Sequence, residues 1–332
     1  MKTLPLILLA FLLVIFACNT PKKVNNQVQT SALVIILEPE AEKIIDKNAT
    51  VEVIAEGFTW AEGPVWVKDL NAVLFSDVPE NRIYKWTLDD SLSIFLEPSG
   101  YTGNTKPGSG SNGLMLDGSG RLILCQHGDR RIALLNADLK TPSSLFTTLA
   151  DNYKAKKFNS PNDLHIKSNG DIYFTDPPYG LPNDSAREIE FNGVYKVNDI
   201  GEVTLLIDSL TRPNGIALSL DEKTAYVANS DPKKVVWYRY KLDSLGNFTD
   251  GSLFFDATHL SLTEKGLPDG LKIHKSGNIF ATGPGGVLII TPEGKHIATI
   301  RTGAKAANCA FDTEQKTLYI TATDMLMRVA LK

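Results

Sequence analysis

The chain has 332 residues, of which 43% are hydrophobic and 22% are charged, and its formal net charge at pH 7 is −4. A chain of this length and composition can bury the core of one large domain without needing a second. Its mild negative charge is not typical of nucleic-acid-binding proteins, and its paired lysines are expected to be solvated loop charges. We therefore expect a globular protein with no nucleic-acid partner.

Residues 1–18 have the layout of a lipoprotein-type signal peptide. Lys2 precedes an apolar run, from Leu4 to Phe16, that is shorter than the roughly 20 residues needed to span a bilayer. The run ends at Ala17-Cys18, and this ending resembles a bacterial lipobox, in which the cysteine is lipidated and becomes the new N-terminus. We expect a periplasmic or cell-envelope lipoprotein that touches the membrane only through Cys18. Plain secretion is the alternative.

The segment 19–48 begins with polar residues and contains a short apolar stretch, ALVIIL, in its second half. This composition is typical of a tether between an anchor and a folded domain. We expect the folded domain to occupy residues 49–332 and to begin with the strand VEVIA.

A repeat organises the folded domain. Six polar residues, which we call the anchors, recur at intervals of 39 to 55 residues, and an apolar β-rich run follows each of them after a polar turn. Repeats of about 40–50 residues with short strands are typical of propeller blades. The sequence therefore predicts an all-β, six-bladed β-propeller whose last blade is completed by VEVIA. The anchors are Glu62, Asn112, Asn162, Asn214, Asp269 and Asn308.

The two cysteines of the folded domain, Cys125 and Cys309, fall in the second and sixth repeats. These repeats are not neighbours in a six-membered ring, so the Cα atoms should be further apart than the roughly 7 Å that a disulfide permits. We expect both cysteines to be buried, reduced and structural.

Anchors at equivalent repeat positions should converge on the channel axis from different blades. Glu62, Asn162, Asn214 and Asp269 would then present carboxylate and amide oxygens to a common point. Such hard ligands suit Ca²⁺ best, then Mg²⁺ or Mn²⁺. Zn²⁺ is least favoured because the five histidines show no ligand spacing. For any single anchor an ordinary turn residue is the alternative, but six in register favour a shared site.

Further polar residues occur where the second strand of each repeat ends. These residues either orient the metal ligands or contact the substrate, or they are ordinary turn residues at the ends of strands. They are Asp77, Gln126, Asp176 and Asn229. His127 and Arg131, in CQHGDRR, are candidates for contacting substrate, with an exposed hairpin turn as the alternative. Tyr179, in DPPYG, is a candidate for closing over a ligand.

Several motifs occur in order: AEGPVW, SPNDLHIKSNGDIYFTDPPYG, RPNGIALSLDEKTAYVANS and LPDGLKIHKSGNIFATGPGG. From about residue 51 to the C-terminus the chain thus resembles the senescence-marker-protein/gluconolactonase (regucalcin-like) family. This resemblance implies a six-bladed propeller with a divalent metal at the centre of its channel. It also implies hydrolysis of sugar lactones or, as in the related diisopropylfluorophosphatases, of phosphorus esters.

The resemblance also implies roles for the anchors. Glu62, Asn214 and Asp269 match the family's metal ligands, and Asn162 matches a further ligand of the phosphatase-like branch. Asn112 matches an asparagine that contacts substrate or a metal-bound water. Asn308 has no counterpart, and we interpret it as structural.

A lactonase mechanism follows from the expected metal, which would polarise the lactone carbonyl for attack by water. Asp269 is the expected proton acceptor, because a carboxylate bound through one oxygen keeps the other free. Asp163 is the second choice, although alternation along a strand would direct it away from the site. A phosphotriesterase on the same site and a non-catalytic, metal-stabilised binding propeller are the alternatives.

Overall fold

The computed structural model describes residues 22–23, 33–103 and 109–332. Most of the described chain is strand and turn, with only short 3-10 helices. Among these residues, no helix is both long and apolar enough to cross a membrane. The predicted signal peptide and Cys18 lie outside the described residues. The 3-10 helices are Pro39–Lys43, Lys68–Leu70, Asp184–Ala186 and Leu260–Leu262.

Apart from one small hairpin, the described strands form six antiparallel sheets, and these sheets are the six predicted blades. In each blade the first strand of the repeat is the innermost, and the other strands of the same repeat are added outwards in chain order. Three strands precede the first blade: β1 (Lys22–Lys23), β2 (Val34–Ile36) and β3 (Val51–Glu56). Blade 1 contains β4 (Ala61–Val67), β5 (Ala72–Asp77), β6 (Arg82–Thr87) and β7 (Leu92–Leu96).

The next two blades are separated by a small hairpin. Blade 2 contains β8 (Ser111–Leu116), β9 (Leu122–Gln126), β10 (Arg131–Leu135) and β11 (Phe146–Ala150). The hairpin is formed by β12 (Asn152–Tyr153) and β13 (Lys156–Lys157). Blade 3 contains β14 (Leu164–Ile166), β15 (Ile172–Asp176), β16 (Gly193–Val197) and β17 (Val203–Ile207).

The last three blades complete the ring. Blade 4 contains β18 (Pro213–Leu218), β19 (Thr224–Asp231), β20 (Lys234–Leu242) and β21 (Phe248–Asp256). Blade 5 contains β22 (Leu271–Ile273), β23 (Ile279–Gly283), β24 (Gly286–Ile290) and β25 (His296–Arg301). Blade 6 contains β26 (Ala306–Phe311), β27 (Thr317–Ala322) and β28 (Met325–Ala330).

Blade 6 is built from both ends of the chain. Strand β3 pairs antiparallel with β28, with Val51 opposite Val329, and thereby supplies the fourth strand. The predicted closure by VEVIA is confirmed. Strand β1 then pairs with the outer side of β3. Because the first and last strands of the propeller share one sheet, ring closure is secured by backbone hydrogen bonds.

The described part of the predicted tether is packed onto the propeller, so the tether prediction is wrong from residue 33 onwards. Strand β2 pairs with β25 and adds a fifth strand to blade 5. The chain then turns through Pro39–Lys43 and buries Ala41, Ile44 and Ile45. Burying these apolar side chains stabilises the segment against the propeller, and the folded domain starts near Val34 instead of residue 49.

Apolar side chains pack between the blades. The described core residues form six clusters, and each cluster joins two neighbouring blades. The cluster between blades 6 and 1, for example, packs Tyr319 and Leu326 against Phe75 and Trp86. Cys125 and Cys309 lie free and buried in two different clusters, as predicted. The ring is therefore held together by sheet-on-sheet burial at each of its joints.

The innermost strands approach one another closely at the residue after an anchor. Gly63 follows Glu62 with φ +48°, and a Cβ atom there would lie 2.0 Å from the backbone oxygen of Asn112 in the next blade. Gly270 follows Asp269, and its Cβ would lie 2.0 Å from Cγ of Asn308. Only glycine fits these contacts, which explains the anchor-Gly pairs of the repeat and brings the anchors close to the channel axis.

Candidate metal centre and substrate pocket

A pocket of about 520 Å³ lies at one mouth of the channel. Its wall contains the anchors of the first five blades, each at or just before the innermost strand of its blade. The predicted convergence therefore brings these residues to one site. They are Glu62, Asn112, Asn162, Asn214 and Asp269.

Side chains at the end of the second strand fix the loops that carry three of the anchors. Asp176 accepts the backbone N–H groups of Asn159 and Ser160, both at 2.7 Å, three and two residues before Asn162. Asp77 accepts those of Thr59 and Trp60 in the same register before Glu62. Asn229 likewise accepts the Thr211 hydroxyl and the Arg212 N–H before Asn214. These side chains orient the anchors through the backbone.

Gln126 acts differently from the other three residues of this set. Its Nε2 donates to the backbone oxygen of Ser99, at 2.8 Å, and among the described residues its side chain does not hold the loop just before Asn112.

The three anchor asparagines of the pocket wall form a chain of hydrogen bonds across the pocket. Asn112 Nδ2 donates to Asn162 Oδ1 at 2.7 Å, and Asn162 Nδ2 donates to Asn214 Oδ1 at 2.5 Å. Asn214 Nδ2 donates to Ser230 Oγ at 3.2 Å, and this hydroxyl donates to the backbone oxygen of Pro268. Since each amide is held by its neighbours, the direction of its oxygen is fixed before any ligand binds.

The two carboxyl groups of the pocket are short of compensating charge. Burial, and then the charge of Asp163, raise the pKa of Glu62 to about 7. Burial, and then the charges of Glu62 and Asp163, raise the pKa of Asp269 well above its usual range. Asp269 Oδ1 and Asn112 Oδ1 are buried without a hydrogen-bond partner among the described residues. A positive charge at this point would therefore stabilise both carboxylates.

The donor set fits a divalent cation that prefers oxygen. Glu62, Asn162, Asn214 and Asp269 contribute carboxylate and amide oxygens, and an amide oxygen that accepts one hydrogen bond keeps a second lone pair. The part of the chain that the structure describes contains no cluster of three or more His, Cys, Asp or Glu residues that could hold a metal. A zinc-type site is not indicated by this donor set.

His127 and Tyr179, which were predicted to contact a ligand, both line the pocket. His127 is buried, and its Nε2 lies 3.3 Å from Asn112 Nδ2 and 3.2 Å from Asn162 Oδ1. Burial lowers the pKa of His127 to about 4, so its ring is neutral at pH 7. Tyr179 is 41% exposed, and burial of part of its ring raises the pKa of its hydroxyl to about 12. Both side chains can therefore offer neutral hydrogen-bonding groups to a ligand.

The family model of the SMP-30/gluconolactonase/LRE-like region matches residues 60–324 of the chain. This chain belongs to that family. The resemblance inferred from its motifs is thus confirmed.

Individual members of the SMP-30/gluconolactonase family are similar over most of the chain. A gluconolactonase of Zymomonas mobilis subsp. mobilis is 40% identical over 321 residues, which cover 93% of this chain and 89% of the relative. The structure of a gluconolactonase from Xanthomonas campestris has a TM-score of 0.79 at 28% identity, covering 90% of this chain and 95% of that one.

A more distant structure is that of regucalcin from Agrobacterium tumefaciens, a calcium-binding protein. It has a TM-score of 0.64 at 19% identity and covers 83% of this chain and 92% of its own. At this identity the similarity shows the fold alone.

Arg131, predicted to contact substrate, does not line the pocket of this family member. Its guanidinium donates to Gln126 Oε1 at 2.5 Å, to Thr148 Oγ1 at 2.9 Å and to Asp129 Oδ2 at 2.9 Å. It also lies over the ring of Phe146. The structure does not place Arg131 at the pocket, because it begins β10, the third strand of its blade, which lies further from the channel axis than β8 and β9.

Asp163 and Asn308 meet deeper in the channel, and neither lines the pocket. Asn308 Nδ2 donates to Asp163 Oδ2 at 3.3 Å, and Lys272 Nζ donates to Asn308 Oδ1 at 3.1 Å. The same lysine lies 4.0 Å from Asp163 Oδ2. The interpretation of Asn308 as structural and the expectation that Asp163 turns away from the site both agree with this geometry.

Several side chains of the pocket wall were not predicted from the sequence: Trp60, Arg212, Ser230, Leu267 and Lys305. All but Ser230 lie two or three residues before an anchor, and Ser230 directly follows Asn229. The signal was present, because the repeat that aligns the anchors also aligns the residues just before them.

Proposed function

We propose that this protein is a metal-dependent lactonase that opens a sugar lactone of the aldonolactone type in the pocket of the channel mouth. The observation that supports this proposal most directly is the pairing of Glu62 and Asp269. Two carboxyl groups with raised pKa values face a point lined by fixed amide oxygens. The similarity to gluconolactonases supports the substrate class.

Glu62, Asn162, Asn214 and Asp269 would hold the cation, and we propose Ca²⁺ for this all-oxygen set. A bound divalent cation would supply Lewis-acid activation of the lactone carbonyl. Asp269 is the proposed general base, because it lines the pocket and its buried Oδ1 has no hydrogen-bond partner among the described residues. This oxygen would accept the proton of the water that attacks the carbonyl.

The remaining polar groups of the wall would position the sugar ring. Asn112 Oδ1 has no hydrogen-bond partner among the described residues and would accept a bond from a sugar hydroxyl. The neutral imidazole of His127 and the phenol of Tyr179 would bind further hydroxyls. Fixing the ring in this way lowers the entropic cost of bringing the water and the carbonyl together.

The proposal is tested with protein stripped of metal by a chelator, to which Ca²⁺, Mg²⁺, Mn²⁺ or Zn²⁺ is added. Glucono-1,5-lactone and other aldonolactones should be hydrolysed only after a cation is restored, and fastest with Ca²⁺. Undiminished hydrolysis after chelation would contradict the proposed metal dependence. Faster hydrolysis of paraoxon than of any lactone would favour a phosphotriesterase. Thermal stabilisation by the cation without any hydrolysis would favour a binding propeller.

A further inference from the structure

The charged side chains of the pocket are arranged in two groups. Glu62 and Asp269 are the acidic residues of the wall, and Glu62 is buried. Arg212 and Lys305 are the basic residues of the same wall, and both are exposed at its edge. They come from blades 4 and 6 and thus flank the edge formed by blade 5. A cation in the proposed metal site would neutralise the negative charges of Glu62 and Asp269. The positive charges of Arg212 and Lys305 would then remain uncompensated.

The backbone of Arg212 is held at the pocket edge. Its N–H donates to Asn229 Oδ1 at 2.9 Å, in the loop that leads to the anchor Asn214. Its guanidinium lies close enough to the hydroxyl of Tyr179, which also lines the pocket, to oppose the rise in the pKa of that hydroxyl. A guanidinium presents its N–H groups as a planar fork that matches a carboxylate or a phosphate.

Arg212 lacks the carboxylate partner that most other arginines have. Among the described residues, neither Arg212 nor Lys305 lies within 4.0 Å of an acidic oxygen. Asp231 is close enough for Arg212 to lower its pKa, but its oxygens accept the Thr211 hydroxyl and the Lys233 N–H. The paired arginines are Arg82, Arg121, Arg130, Arg131, Arg187, Arg301 and Arg328.

A neutral sugar lactone would present only hydroxyl groups to this edge and would leave both positive charges uncompensated. A carboxylate or a phosphate ester would instead accept charge-assisted hydrogen bonds from Arg212 and Lys305. We infer that the lactone opened in this pocket carries an anionic group remote from its ring ester, and that Arg212 and Lys305 bind that group. The inference rests on the lactonase activity proposed above.

The test compares kcat/KM for three lactones: neutral glucono-1,5-lactone, its 6-phosphate and a glucarolactone carrying a carboxylate. The native protein with Ca²⁺ should prefer at least one anionic lactone by about tenfold or more at low ionic strength. This preference should shrink as sodium chloride screens the charges. Whichever of the two anionic lactones has the larger kcat/KM shows whether the pocket prefers a phosphate or a carboxylate.

Variants separate a binding role from a general effect of charge. Arg212→Gln and Lys305→Gln should each reduce the anionic-to-neutral ratio of kcat/KM by about ten- to a hundredfold, mainly through KM. Arg212→Lys should keep part of the ratio, because the charge remains while the planar fork is lost. Lys241→Gln, which removes an exposed lysine on the outer strand β20, is the matched control and should leave the ratio unchanged.

A ratio near one in the native protein, or an equal loss of ratio in Lys241→Gln, would overturn the inference and leave the proposed lactonase standing. Failure to hydrolyse any of the three lactones with a cation present would overturn both.

Discussion

At the scale of single residues, Glu62 is proposed to act only as a metal ligand, whereas Asp269 is proposed to act as both a ligand and the general base. Glu62→Gln removes a ligand charge, so we expect weak metal binding and activity that partly returns at high Ca²⁺. Asp269→Asn removes a ligand and the proposed base, so turnover at saturating Ca²⁺ should stay low by about 10²–10⁴-fold. Hydrolysis is measured against Ca²⁺ concentration for both variants.

Asp208→Asn, which changes an exposed carboxylate outside the pocket, is the control for those two substitutions. If Asp269→Asn has full turnover at saturating Ca²⁺, then Asp269 is a metal ligand and not the general base. The base would then have to be sought among the other groups of the pocket.

The pKa of Glu62 makes the metal-free protein sensitive to pH. Because burial raises this pKa from 4.5 to about 7 in the folded protein, the protonated carboxyl stabilises the metal-free fold fully below pH 4.5. That contribution, on the order of 3 kcal/mol, is lost as the pH rises through 7. Melting in a chelator should therefore occur at lower temperature at pH 8 than at pH 5.5, and Ca²⁺ should raise Tm more at pH 8.

Glu62→Gln is the control for this pH dependence and should show a smaller difference between the two pH values. An equal effect of Ca²⁺ on the native protein at both pH values would contradict the assignment of Glu62 as a ligand.

At the scale of the structural element, the end of β15 fixes the loop that carries Asn162. Asp176 is fully buried and accepts two backbone N–H groups there. Asp176→Ala leaves both donors unpaired, so we expect a loss of about 3 kcal/mol of stability together with a weaker affinity for the metal. Asp199→Ala, at an exposed turn of the same blade, should change the free energy of unfolding by less than about 0.5 kcal/mol. Chemical denaturation and metal titration of both variants provide the measurement, and unchanged metal affinity in Asp176→Ala would contradict this role.

The repeat explains which parts of this arrangement could be predicted from the sequence. Glu62 and Asn214 were found because each of the first five blades places its anchor at the same pocket, so the spacing of the repeat predicts their convergence. Arg212 was missed because its type differs from the residues aligned with it in other blades. Arg131 was wrongly expected at the pocket because its position in the sequence does not show how far its strand lies from the channel axis. The pairing of β2 with β25 depends on a contact between distant parts of the chain, which a local pattern does not report.

At the scale of the whole molecule, the segment before β3 is part of the folded protein. Ile45 is fully buried in the cluster between blades 5 and 6. Ile45→Ala should therefore cost about 2–5 kcal/mol of stability. Leu37→Ala, in the same segment but 50% exposed, should cost much less. Equal melting temperatures for the native protein and Ile45→Ala would instead support a segment that is independent of the propeller.

We also propose that lipidated Cys18 anchors the protein to a membrane after export, as the layout of residues 1–18 indicates. Cys18→Ser should move the protein from the membrane fraction of its native host to the soluble fraction. Lys22→Ser, four residues further along, is the matched control. Membrane association that persists in Cys18→Ser would contradict the anchor.

The pairing of β3 with β28 also imposes an order in time on the assembly of the protein. Strand β3 is synthesised before any blade is complete, whereas its partner β28 follows the other five blades in the chain. Until β28 has been synthesised, blade 6 lacks the pairing that closes the ring, and the edge of β3 remains open. Synthesis proceeds from the N-terminus, so the ring cannot close before β28 has left the ribosome.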